Sequence, residues 1–578
     1  VQTPTRLRTS PGDQDQAVQD LLSGLRDLAK QHPDRLHCEE WGRSRADRPL
    51  LFARVAFPGE VPATQRPAML LVAGLDGRRM DDVGIAISQL RSIVAAAPDS
   101  EIGKRLARTT LYVLALANPD GLALGIAGNG APEDSDHDGS EGEDGPDDID
   151  GDGRLLWMRW KDPEGTWIED PDHAGLMREA DPKKNERGQY RLEREGADQD
   201  GDDRYNEDAP GGVLLQRNFA QLYPEHGPGA GRYVLSEPES LALARFVTMH
   251  PRLELVVTYG ANDNLLEKPI KNTLEGRRAP TGYMEQDLWI QEELGKLYRE
   301  KTGREGKNVD EWPGRFHSWA YAHAGLPSLA TSLIRWSDKT AETAASKPAK
   351  EQEPGKEAPA NPPEAAKKVE ETDGSRQLAW LSKYWADRAF VAWKGHPLPA
   401  GGLPGRVVEI GGLDTSLLHR IPESEKERIA ASHLEFLMAL LDRMPEVRLG
   451  KVSSRKLGAS VLEVEALVSN EGWLPPRIHM ATLLRRPVLP RAELVLGSKG
   501  DWKPLLPAQD AAAGATALIR GPRMTLLSQL AGKGSHETLR WTIRLGTEGP
   551  PTLLIRQGDR VLGSLLVPIN QSKNGGGR

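Results

Sequence analysis

Residues 68–79 read AMLLVAGLDGRR. An unbroken apolar run enters a glycine turn that ends in one acid and two arginines. A run without alternation suits a strand buried on both faces, with polar residues collected at its carboxyl end. The same kind of run recurs at 50–56 (LLFARVA), 110–116 (TLYVLAL) and 253–259 (LELVVTY). Between these runs the spacing turns helical. Val18, Leu21, Leu22, Leu25 and Leu28 line one face of 14–31, and 81–97 and 236–249 also read as helices. Ser236 and Glu239 are placed to form a capping box around Pro238. Strands alternating with helices predict an α/β domain.

Two segments interrupt the pattern. Residues 133–153 are dominated by Asp and Glu, inside an Asp-rich insertion over about 130–210. Residues 338–376 are Ala/Pro/Glu/Lys-rich, with almost no apolar anchor, and read as a disordered insertion. A long amphipathic helix fits 423–444, and the α/β pattern closes near 445. From 450 to 570, stretches such as 460–468 and 538–545 alternate between turn signals, which predicts an all-β sandwich. Residues 571–578 read as a flexible tail.

Composition removes several function classes. A net charge of −9 argues against a nucleic-acid partner for the whole chain. No apolar run is long enough to span a membrane. The single cysteine, Cys38, excludes an internal disulfide and a thiolate metal cluster. The chain opens on Val1 and reads as a mature, exported protein, secreted or periplasmic, with its signal already removed.

Three loops carry Asp at alternate positions: Asp134, Asp136 and Asp138; Asp148, Asp150 and Asp152; Asp198, Asp200 and Asp202. Hard cations take several oxygen ligands, so each loop is a candidate calcium site. Position 12 of the first two loops is Gly145 and Arg159 rather than Glu, which speaks against an EF-hand.

Several motifs then fall in one order: 41–50 (WGRSRADRPL), 73–79 (AGLDGRR), 118–121 (NPDG), 211–219 (GGVLLQRNF), 236–239 (SEPE), 319–327 (WAYAHAGLP), and His396-Pro397 with 407–412 (VVEIGG). Together they resemble the M14 zinc carboxypeptidases, the carboxypeptidase A family, over about residues 15–445. Residues 157–165 (WMRWKDPEG) with the Asp loops resemble a bacterial branch that carries a C-terminal β domain. The resemblance implies a mixed sheet flanked by helices. It also implies a zinc ion held by two His and one Glu, and a catalytic Glu. Those roles fall on Asp76, Arg79, Gly260 and Ser332, so zinc and peptide hydrolysis are not expected. The carboxylate-binding Asn falls on Gln216, its arginine partner is retained as Arg217, and a second family arginine is retained as Arg78.

Relocated chemistry is weak. His37-Cys38-Glu39-Glu40 lies upstream of the first strand, and His317 and His323 are six apart, so packing roles are expected for both. Two functions stay open: a cleft that binds a peptide C-terminus or other anion, and a calcium-stiffened scaffold that assembles with itself or a protein partner through its β-sandwich. A residual metallocarboxypeptidase is the alternative. Arg78, Arg79 and Arg217 are expected to converge in the cleft, with Asp76 and Asp263 as the local acids.

Overall fold

The computed structural model describes residues 11–132, 147–198, 205, 212–274, 279–333, 372–397, 407–458, 461–484, 490–495, 524–526, 533–544, 552–557 and 560–567. In chain order the strands of the α/β region are β1 (Leu36–Arg43), β2 (Pro49–Val55), β3 (Ala68–Val72), β4 (Thr110–Leu114), β5 (Trp157–Lys161), β6 (Trp167–Glu169), β7 (Met177–Glu179), β8 (Tyr190–Arg194), β9 (Leu253–Tyr259), β10 (Ser328–Thr331), β11 (Phe390–Pro397) and β12 (Val407–Leu413).

The first sheet has the order β1-β2-β4-β3-β9-β10. It is mixed: β1–β2 and β2–β4 are antiparallel, whereas β3 pairs parallel with β4 and β9, and β10 with β9. The continuous apolar runs have the cause inferred from sequence. Met69 and Leu71 of β3 enter one core, and Leu70 and Val72 enter the other. The first core is roofed by helices α1 (Pro11–Gln31) and α2 (Met80–Ala95), through residues such as Val18, Leu22 and Ile87. Between α2 and β4 runs α3 (Glu101–Leu106), and α4 (Pro119–Leu124) follows β4. The opposite core is covered by α5 (Pro238–Met249) through Leu243 and Phe246. Helix α6 (Leu288–Thr302) joins the first core, and α7 (Phe316–Ala322) joins the second through Phe316 and Trp319. Truncating a fully buried leucine such as Leu71 to alanine in such a core costs about 2–5 kcal/mol.

A second, antiparallel sheet, β11-β12-β5-β8-β6-β7, was not foreseen. The insertion supplies four strands and the closing region two. The helix α8 (Asp373–Trp385) precedes the closing strands and opens with a capping box at Thr372, so residues 372–376 of the segment expected to be disordered are ordered. Residues 338–371 lie outside the described residues. Helix α9 (Glu423–Leu441) returns to the first core through Ile429 and Phe436.

Beyond it lie two antiparallel sheets. One is β13 (Val447–Gly458), β14 (Val461–Asn470) and β17 (Ser535–Arg544). The other has the order β16-β15-β18-β19, from β15 (Pro490–Val495), β16 (Met524–Leu526), β18 (Thr552–Gln557) and β19 (Arg560–Leu566). A short helix, α10 (His479–Leu483), fastens this region to the α/β core. Both carboxylate oxygens of Asp287 accept its first backbone N–H groups, from His479 at 2.7 Å and Met480 at 3.0 Å. Trp473 packs on Trp289, and Ile478 and Met480 enter the first core.

Candidate functional site

The first sheet presents its carboxyl edge where β3, β9 and β10 end. The β3 turn is pressed onto the backbone of α4: a Cβ at Gly77 would lie 2.1 Å from the Gly121 carbonyl carbon, so no side chain fits there. This close approach fixes Asp76, Arg78 and Arg79 at the edge. Gly260 continues β9, its N–H donating to the Thr331 carbonyl at 3.1 Å, which brings it alongside Ser332 at the end of β10. The atom nearest a Cβ built on Gly260 is Nε2 of Gln216, at 3.8 Å. Asp76, Gly260, Ser332 and Gln216 therefore occupy one edge.

The arginines do not converge as the sequence suggested. Arg78 turns back on Asp76, donating Nε to Oδ1 at 3.0 Å and Nη2 to Oδ2 at 2.8 Å. Burial alone would raise the Asp76 carboxyl, but this pair holds it below the usual range. Arg79 faces away into the fold and ion-pairs with Asp82 at 2.6 Å, both side chains buried. Burial lifts the Asp82 carboxyl despite Arg79, yet Arg79 itself is held firmly charged. A guanidinium does not give up its proton, so the carboxyl facing it at that distance is ionised. Asp263, the other acid expected to answer these cations, pairs instead with Arg304 at 3.2 Å.

Arg304 is a residue that sequence reasoning missed. Its Nη1 also donates to Tyr298 Oη at 2.8 Å, to Thr331 Oγ1 at 3.2 Å and to the Ser332 carbonyl. No motif or spacing links it to these strands. His419 was missed too. Burial, then Arg78, pushes its imidazole down to about 4, so it stands neutral beside Asp76 and the arginines.

Arg217 behaves differently. It is half-buried, and its guanidinium makes no hydrogen bond or ion pair among the described residues. Gln216 accepts the Phe316 N–H through Oε1 at 3.2 Å. The loop beside them is strained: Leu222, His226 and Leu235 hold φ of 48°, 58° and 56°. Such conformations cost energy for non-glycine residues and collect at functional sites. Gly227 of that loop, given a Cβ, would lie 3.6 Å from Arg217 Nη2.

Behind the edge, the motif residues form a closed network. Asp120 accepts from Ser44 Oγ and Arg48 Nη1, each at 2.6 Å, and from the Ala46 N–H at 2.8 Å. Asn118 caps α4 by accepting the Gly121 N–H. Asn129 Nδ2 donates to Glu237 at 2.7 Å and to Glu239 at 3.1 Å. The expected capping box at Ser236 and Glu239 does not form. Glu237 is the cap residue without a side-chain cap bond, and Ser236 Oγ donates to Glu237 at 2.8 Å. Glu239 is drawn off by Asn129 and the Arg45 N–H, and burial raises its carboxyl to about 7.

Zinc needs two His, a carboxylate and an open position. Both Asp76 oxygens are engaged by Arg78, Arg79 is a cation, and Gly260 has no ligand atom. These residues do not fit zinc. Among the described residues, one group of three potential ligands lies within 4.8 Å: Asp148, Asp150 and Glu195, in the insertion. Glu195 replaces the expected Asp152 in that group. It is fully buried and accepts the N–H groups of Ile149 at 2.9 Å, Asp150 at 3.2 Å and Leu156 at 3.0 Å. Burial, with Asp150 and Asp148 adding, raises its carboxyl. Asp198 is buried outside the group; Asp134, Asp136, Asp138, Asp200 and Asp202 lie outside the described residues. His37 pairs with Glu39 on the surface, His317 with buried Asp310, and His323 with Gln221. A cavity of about 630 Å³ lies at the opposite edge of the sheet, between Arg105, Arg252 and Arg448.

The sequence pattern of the zinc carboxypeptidases matches residues 21–353. The chain belongs to the zinc carboxypeptidase family. A domain of unknown function matches residues 446–564, the region of the two C-terminal sheets. Among solved structures, thrombin-activatable fibrinolysis inhibitor is 15% identical with a TM-score of 0.34, over 57% of this chain and 69% of that one. Carboxypeptidase A from Helicoverpa armigera is 14% identical with a TM-score of 0.33, over 55% and 64%. A metallo-carboxypeptidase from Burkholderia cenocepacia is 11% identical with a TM-score of 0.31, over 54% and 58%. No curated protein matches the chain. No helix among the described residues is long and apolar enough to cross a membrane.

Proposed function

We propose that this chain is a zinc-free, non-hydrolytic zinc carboxypeptidase homologue whose cleft binds a carboxylate-bearing ligand, such as a peptide C-terminus. One observation carries the reading. At the sheet edge Asp76, Arg79 and Arg304 are each committed to a partner, whereas Arg217 keeps an open fork beside Gln216. A guanidinium fork recognises a carboxylate in two parallel bonds and needs no metal. Hydrolysis would need a base, and Ser332 offers only a fully buried hydroxyl without a hydrogen-bond partner.

The exported, calcium-binding part of the proposal rests on the insertion. Three crowded carboxylates, Asp148, Asp150 and the buried Glu195, whose carboxyl burial raises, would be relieved by a hard cation. Titrating the protein with a peptide bearing a free C-terminus, against its amidated twin, tests the cleft. Saturable binding of the free form alone is expected. Equal, negligible binding of both would overturn the cleft reading and leave assembly through the C-terminal sheets as the role.

A further inference from the structure

Arg217 is not alone at the edge. Residues 216–221 zip against 314–316: Gly314 donates its N–H to the Gln221 carbonyl at 2.7 Å, and its own carbonyl accepts the Phe219 N–H at 3.0 Å. A Cβ on Gly314 would lie 2.5 Å from the Arg217 carbonyl oxygen. Arg315 therefore issues from the chain segment that lies directly against Arg217. Its side chain is 18% exposed and ion-pairs through Nη2 with Glu311, which is 58% exposed. Its Nε is buried with no hydrogen-bond partner.

Two guanidinium groups in one cleft repel, and the cost grows as water is excluded. Burial and the charge of Arg217 push Arg315 down to about 10, and Asp76 only partly offsets this. A single carboxylate on Arg217 leaves Arg315 with the exposed Glu311 as the acid on its fork. A ligand with a second carboxylate one side chain away answers both. Glu311 already covers Nη2, but it is an exposed acid, and exposed ion pairs contribute little, so it competes weakly. A basic end residue would set like charges against each other, and an amidated terminus would lack the carboxylate that Arg217 takes up, which selects against both.

Resting on the carboxylate-binding reading of the cleft, we propose that Arg315 makes this site selective for chains that end in Asp or Glu. The terminal carboxylate sits on Arg217 and the Gln216 amide, and the side-chain carboxylate sits on Arg315.

The test is calorimetric titration of the full chain with three N-acetylated pentapeptides that differ only at the end: Glu, Ala and amidated Ala. The Glu peptide should bind about tenfold tighter than the Ala peptide, the scale of one charge-assisted hydrogen bond. Arg315→Gln should erase that preference while keeping the Ala peptide bound, and Arg315→Lys should retain part of it. Arg217→Gln should weaken both. Equal affinity for Glu and Ala ends, or a preference that survives Arg315→Gln, overturns the inference and leaves the cleft reading standing. No binding by any free terminus overturns the cleft reading itself. Melting curves of each variant separate a folding defect from a lost contact.

Discussion

Two regions a few residues apart have taken opposite courses. In one, Ser44, Arg48, Asn118, Asp120, Glu237 and Glu239 come from the motif segments and Asn129 joins them, and the carboxylates are met by buried or half-buried donors. At the sheet edge, the residues that the motif order sets on the ligand and base positions, by expectation, are Asp76, Arg79, Gly260 and Ser332, and the charged ones are tied to Arg78 and Asp82. The first region holds the turns after β3 and β4 in place. The second is where chemistry would occur. A fold can keep the first without the second, because burial penalises an unpaired carboxylate whether or not a reaction takes place nearby.

Four experiments can break or sharpen this contrast. The largest effect belongs to the network. Asp120→Ala leaves Arg48 and Ser44 without their acceptor, and should cost about 4 kcal/mol in denaturant unfolding. A loss below one unit of that scale would mean the network is not structural. Next comes the insertion. Calcium at a hundredfold its Kd should add about 3 kcal/mol, and a chelator should lower the melting temperature and expose 130–210 to protease. Glu195→Gln should abolish the response, and an unchanged melting curve would leave these as plain acidic loops.

The pH dependence separates the two regions by sign. His419 titrates near 4 in the folded chain against an ordinary 6.5, so the unfolded chain binds the extra proton in that window. Stability should therefore fall as pH drops from 6.5 to 4, by up to about 3 kcal/mol, and His419→Gln should flatten this limb. Glu239 titrates near 7 against an ordinary 4.5, so its contribution is present below 4.5 and fades as pH rises through 7. Glu239→Gln should remove that decline. A stability curve insensitive to both substitutions would refute the assignment. The smallest effect is Arg217→Gln: with no partner among the described residues to lose, stability should change by less than about 0.5 kcal/mol.

How much of this was legible in the sequence follows from the physics of each feature. The apolar runs at 68–72 and 253–259 announce a sheet buried on both faces, because no solvent face interrupts them. The second sheet was hidden because its strands come from segments far apart. Glu409 of β12 pairs with Arg159 of β5, and nothing local records that register. The residues expected on the ligand positions could be named from the order of the motifs, and neither Arg79 nor Gly260 carries a zinc-ligating atom. Their partners could not be named. Asp82 lies only three residues from Arg79, but Arg304 reaches Asp263 through tertiary packing alone. The missing capping box has the same cause: Asn129 competes for Glu239 from more than a hundred residues away.

The central claim is that this edge no longer holds a catalytic metal, and metal content tests it most directly. The full chain, purified without chelator and equilibrated with zinc, should show no stoichiometric zinc by elemental analysis after gel filtration, and no release of a C-terminal residue from peptides. One tightly held zinc per chain that disappears in Asp76→Ala would contradict the account.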